Sequence, residues 1–103
     1  LVAWLPPAEI ENIIREHGLP MYSTGIGAKG CVMFAPEPLL DYRDYLNIDK
    51  GLAYMHWLYF MNRGIFMPPG LDEQWTLSVQ HSDEDIEAHL AMFREFARDV
   101  TAA

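Results

Sequence analysis

The chain has 103 residues, 50% of them apolar and 13% aromatic, with 7 Lys+Arg against 15 Asp+Glu and a formal charge of −8. That much apolar surface closes one core and argues against a disordered chain. A surface of that sign repels phosphate backbones and anionic lipid heads, which argues against nucleic acid and membrane as partners.

No apolar run reaches the roughly 18–20 residues of a bilayer span. The longest, Leu52 to Met61, is interrupted by His56. The start lacks the basic, apolar and small-residue order of a signal peptide. Cys31 is the lone cysteine, so it forms no internal disulfide and cannot alone build a thiolate zinc site; a reducing, cytoplasmic setting fits. The opening Leu1-Val-Ala-Trp-Leu-Pro-Pro7 has no initiating methionine and reads as a segment already in progress.

Pro6 and Pro7 suit the first turn of a helix, with Glu9 and Glu11 at its positive end and Ile10, Ile13 and Ile14 on one face. Gly18 and Pro20 stop it, which predicts a helix from Pro7 to His17. Met21 to Thr24 reads as a short extended segment. After Gly25, Gly27 and Gly30, the run Cys31 to Phe34 reads as a buried strand closed by Ala35-Pro-Glu-Pro38. Leu39 to Asn47 has no clean period and reads as a loop able to take one turn of helix.

From Ile48 to Asn62 a helix is expected whose apolar residues point almost every way, so part of its surface should meet something outside this chain. Exposure of Trp57, Tyr59 or Phe60 would be its trace. Ile65 to Met67 reads as a short strand, and Trp75 to Gln80 alternates like a strand with one buried face. Ser82 caps a last helix with Asp83, Glu84 and Asp85 at its positive end and a core stripe of Ile86, Leu90, Phe93, Ala97 and Val100. The order predicts an α+β fold: a small antiparallel sheet with helices packed on it, in a single domain spanning residues 1–103.

Gly25-Ile-Gly27-Ala-Lys-Gly30 has the spacing of a dinucleotide fingerprint, but a strand-like run follows where the fingerprint needs a helix. It reads as a turn between strands. No two of His17, His56, His81 and His89 stand four apart on one helix face, so no metal is expected, although His81 and Asp85 could converge across the cap. Asp83-Glu-Asp85 lacks the alternation and glycine of a calcium loop. Cys31 reads as a small core residue; Lys29 and Lys50, the only lysines, read as solvated charges. Glu73, in Pro69-Gly-Leu-Asp-Glu-Gln-Trp75, is a carboxylate in a glycine-containing loop where binding groups often stand.

Asn62-Arg-Gly-Ile-Phe-Met-Pro-Pro69, then Glu73 and Ser78, then His81-Ser-Asp-Glu-Asp-Ile86, resemble the C-terminal end of class III pyridoxal-phosphate-dependent aminotransferases, particularly glutamate-1-semialdehyde 2,1-aminomutase-like members. Gly27 to Ala35 is similar, more loosely, to a strand of the same family. The resemblance implies the small C-terminal domain of a longer fold-type I enzyme that moves an amino group on a small amino or keto substrate. It implies pyridoxal 5'-phosphate held by a large domain of the same chain, a second subunit in a homodimer, and no catalytic or cofactor-binding residue in this stretch. Lys29 and Lys50 do not match the family's cofactor lysine. Glu73 alone matches a family residue near the substrate channel, and the family's Phe-Glu-Ala reads Asp72-Glu73-Gln74 here. The alternative reading is a stand-alone α+β module that binds a ligand or a protein without catalysis.

Overall fold

A computed structural model of the chain describes residues 6–26, 28–70 and 75–102. Helix α1 (Pro6–His17) begins at the proline pair, with Glu9 in its first turn and Arg15 and His17 in its last, each sign matched to the dipole. Ile10, Ile13 and Ile14 are buried, and Arg15 pairs with Glu11 one turn back on the outer face. Gly18, at φ 63°, ends the helix. Leu19 N–H reaches Ile14 O at 3.1 Å and Gly18 N–H reaches Arg15 O at 3.3 Å, the Schellman pattern that satisfies the last carbonyls while Leu19 packs inward.

Strands β1 (Tyr22–Ile26) and β2 (Lys29–Met33) form an antiparallel hairpin running from Tyr22 opposite Met33 to Ile26 opposite Lys29. The glycine-rich run thus joins two strands, as its sequence context predicted; Gly27 itself lies outside the described residues. Strand β3 (Trp75–Thr76) pairs with the other edge of β2, giving the order β1-β2-β3 with Cys31 and Val32 buried on the central strand.

Two short aspartate-capped helices follow the hairpin in sequence. Asp41 caps α2 (Tyr42–Leu46) by accepting from Asp44 N–H at 3.0 Å, and Asp49 caps α3 (Lys50–Asn62) by accepting from Leu52 N–H at 2.9 Å. Asp49 also donates its own N–H to Phe34 O, tying the start of α3 to the residue after β2. Gly64, at φ 88°, closes α3 with the same pattern as Gly18: Ile65 N–H to Phe60 O and Gly64 N–H to Met61 O. Helix α4 (Asp83–Ala102) opens on a reciprocal box in which Ser82 Oγ accepts from Asp85 N–H and Asp85 Oδ2 accepts from Ser82 N–H.

The core lies among α1, β2, α3 and α4, with Phe60, Phe93 and Phe96 at its centre. Phe96 lies off the stripe read from the sequence and is nonetheless buried, because α4 packs on two neighbours and needs a wider apolar face.

Two strand expectations fail. Residues 65–67 form no strand: Ile65 N–H is taken by the α3 closure and Met67 O by Trp57 Nε1 at 2.9 Å, so the segment folds back on α3. The strand expected over 75–80 stops at Thr76, with one further bond from Leu77 N–H to Ala28 O. Beyond it Ser78 N–H donates to His81 Nδ1 and Ser78 Oγ accepts from Gln80 N–H, so a local serine turn replaces the ladder and leaves Val79 exposed.

Helix α3 is apolar all round, as expected, but the residues it shows are different ones. Phe60 is fully buried and Trp57 and Tyr59 are half-buried, the Tyr59 hydroxyl donating to Asp99 Oδ2 at 2.7 Å. Tyr54, Met55 and Leu58 form the outer strip instead, and Leu40, Tyr42 and Leu46 are also exposed.

Candidate functional site

The segment 65–68, β3 and the start of α4 together line a groove of about 460 Å³. That volume lies in the usual range for a small-molecule pocket. Phe66, Met67, Pro68, Trp75 and Leu77 supply apolar lining, His81 and Asp85 supply polar groups, and Ile86 and His89 line it from α4. The Ser82 amide and hydroxyl bond the Asp85 carboxylate and backbone and hold its pKa below the usual value; the charge of His81 adds to this. His81 and Asp85 therefore meet on one surface, as their spacing across the cap allowed.

Met67, Pro68, Trp75 and His89 also border a smaller hollow of about 30 Å³, lined further by Phe34, Ala53, Trp57 and His56. His56 is buried among four phenylalanine rings: Phe60 at 4.5 Å, Phe96 at 5.2 Å, Phe34 at 5.4 Å and Phe93 at 5.9 Å between centroids. Burial, then the neighbouring charge of His89, pushes the His56 pKa down to about 3. Burial alone pushes His89 down to about 4. Both imidazoles are neutral near pH 7, and the Nε2 atoms of both are sealed from solvent, without a hydrogen-bond partner among the described residues.

The other candidates stand apart from this region. Cys31 is a buried core thiol on β2. His17 Nδ1 lies 2.9 Å from Ile13 O at the end of α1. Among the described residues no group of three His, Cys, Asp or Glu side chains is placed to share a metal ion. Glu73 lies outside the described residues, between Gly70, which lines the hollow, and Trp75, which lines both hollow and groove.

Lys29 is exposed at the hairpin end of β2, and Lys50 Nζ donates to Leu46 O at 3.1 Å on the surface. Neither lysine lines the hollow or the groove, so the residues described here do not fit an aldehyde cofactor bound covalently through this chain. His56 and His89 escaped sequence reasoning as a pair. The available signal was an imidazole on the apolar face of each of two helices, which gains meaning only once α3 and α4 are packed.

No family model matches this chain. The fold is that found within aminotransferases. A β-phenylalanine aminotransferase from Variovorax paradoxus superposes with a TM-score of 0.84 at 23% identity, covering 94% of this chain and 22% of that one. An omega-transaminase from Sphaerobacter thermophilus superposes at 0.74 with 28% identity, covering 95% and 22%.

In sequence the chain is similar to glutamate-1-semialdehyde 2,1-aminomutases. That of Lachnoclostridium phytofermentans is 30% identical over 92 residues, 89% of this chain and 22% of the relative; that of Thermus thermophilus is 31% identical over 88 residues, 85% and 21%. The chain is thus related to glutamate-1-semialdehyde 2,1-aminomutase-like class III aminotransferases, as the residues from Arg63 to Ile86 indicated. It spans about a fifth of the length of these curated relatives.

Proposed function

We propose that this chain is the C-terminal small domain of a longer cytoplasmic pyridoxal-phosphate enzyme, an aminotransferase or aminomutase acting on a small amino or keto substrate. In this reading the cofactor and its lysine belong to a large domain of the same polypeptide, the enzyme is a homodimer, and the small domain shapes substrate access. The observation that carries it is the mismatch in coverage: relatives span 89% of this chain, whereas the chain spans 22% of the relative. The outer strip of Tyr54, Met55 and Leu58 supports it, since a monomer gains nothing from three large apolar side chains on one exposed helix face.

The strip gives a test. Met55→Glu with Leu58→Glu, made together in the longer polypeptide, should leave this domain folded because both positions are exposed. Turnover should fall roughly tenfold or more, the effect of about 1.4 kcal/mol lost at a docked interface. Wild-type turnover and an unchanged melting profile would contradict docking through α3.

Glu73 is assigned to the substrate channel. Glu73→Gln in the same polypeptide should lower turnover or weaken substrate binding, and unchanged kinetics would remove it from the site. One observation favours the second reading, a stand-alone ligand-binding module: the groove between Met67 and Trp75 is large enough for a small molecule without help from another domain.

A further inference from the structure

We propose that the groove lined by the start of α4 binds a protonated amine carried on an aromatic body, with Asp85 taking the ammonium and Phe66, Leu77 and the Trp75 ring taking the body. This rests on the groove being a small-molecule site and is independent of whether the chain works alone or within a longer polypeptide. Both kinds of group are open to an incoming molecule. The Asp85 carboxylate is exposed, and Phe66 lines the groove while 86% of it is exposed. Covering such a ring with an apolar ligand takes both surfaces out of water, the main driving force for binding in a groove of this composition.

The charge of the lining selects a cation. The Asp85 carboxyl is held below its usual range and is ionised at neutral pH. Its Oδ2 accepts the Ser82 N–H, one of about four hydrogen bonds that a carboxylate can take. Asp83 and Glu84 share the same first turn, and three full negative charges outweigh the positive end of the helix dipole, which is roughly half a charge. The chain's formal charge of −8 acts in the same direction. Among the described residues of the lining there is no lysine or arginine to receive a carboxylate or phosphate.

Spacing sets the length of the ligand. Asp85 and His89 stand one helical turn apart, about 5–6 Å between β-carbons, and the Trp75 ring lies 6.0 Å from the His89 ring. A nitrogen at Asp85 and a ring against Trp75 therefore call for a tether of about two or three carbons, and the groove of about 460 Å³ admits one such molecule.

The test is titration of the chain with dimethylphenethylamine and with its neutral and anionic counterparts, phenylethanol and phenylpropanoate, followed by NMR shifts of the backbone amides and indoles. A tertiary amine cannot condense with an aldehyde, so its binding reports the groove and not carbonyl chemistry. Saturable binding of the amine, at least tenfold tighter than either counterpart and with shifts at Trp75, Leu77, Asp85 and Ile86, is the expected result. Asp85→Asn keeps an oxygen for the Ser82 N–H and should cost the amine about tenfold in affinity, the effect of one charge-assisted hydrogen bond. Phe66→Ala, at an exposed position, should weaken amine and alcohol alike by several-fold. Alcohol binding as tightly as the amine, or an Asp85→Asn chain that binds the amine unchanged, would overturn the assignment of the amine while leaving a small-molecule groove. Preference for the anion, or shifts confined to Tyr54, Met55 and Leu58 on α3, would overturn it as well. Saturation by none of the three would overturn the small-molecule groove together with the amine.

Discussion

Phe60→Ala is expected to lower the unfolding free energy by about 3–5 kcal/mol, the range for deleting a fully buried phenyl ring and leaving its cavity. Phe60 is completely buried. Its ring lies within 6.4 Å, centroid to centroid, of Tyr59, Phe93 and Phe96, and within 5.2 Å of both His56 and His89, in tilted or edge-on contacts. Its carbonyl also accepts the Ile65 N–H that closes α3, so the position belongs at once to the core and to the helix end. Collapse around the lost ring is opposed from both sides by α3 and α4. A domain of this size has a total stability of about 5–15 kcal/mol, so the variant should approach or cross the unfolding threshold at 37 °C. The check is a urea titration: a midpoint lowered at unchanged slope reports lost stability. A loss under about 1 kcal/mol would place Phe60 outside the core.

The second large effect is on pH. His56 and His89 titrate in the folded chain near 3 and 4, against 6.5 for an unperturbed imidazole. Above pH 6.5 both are neutral folded or unfolded, and their environment contributes its full stability. As pH falls below 6.5 the unfolded chain takes up two protons that the folded chain refuses. Each such proton removes about 1.4 kcal/mol per pH unit. Between pH 6.5 and about 4 the two together should therefore lower stability steeply, with the slope easing as His89 and then His56 begin to charge in place.

The Asp85 and Asp99 carboxylates, both held below their usual range, weaken the fold only further down, as they are protonated below their ordinary carboxylate pKa. Urea midpoints at half-unit steps from pH 7 to 4 measure the slope, and His56→Phe should reduce it by about half. A flat profile over that window would show that the imidazoles are solvated.

Much of the fold was legible because its signals are local. Pro6, Gly18 and Gly64 mark helix limits through φ alone, and Ser82 with Asp85 marks the start of α4 through a box that closes within four residues. The alternation after Trp75 misled because it competes with a serine turn: Ser78 and His81 bond each other's neighbourhood more cheaply than β2 can be extended. The run Ile65-Phe-Met67 misled for a non-local reason. Trp57 Nε1, ten residues back, holds the Met67 carbonyl, and no periodicity encodes that.

The site shows the same division. His81 and Asp85 could be paired from spacing, whereas His56 and His89 lie 33 positions apart and meet only through the packing of α3 on α4. The outer strip was foreseen as a property of α3 but assigned to Trp57, Tyr59 and Phe60. Which face a uniformly apolar helix buries is decided by its partners and not by its own sequence.

The most direct measurement on the central claim is the mass of the native gene product in its source cells, paired with its absorbance spectrum and its response to borohydride. The expected product is a polypeptide several times heavier than these 103 residues, yellow as isolated and bleached by the reductant. A colourless native product of about 11.8 kDa would contradict it, and the groove between Met67 and Trp75 would then be the place to look for a ligand.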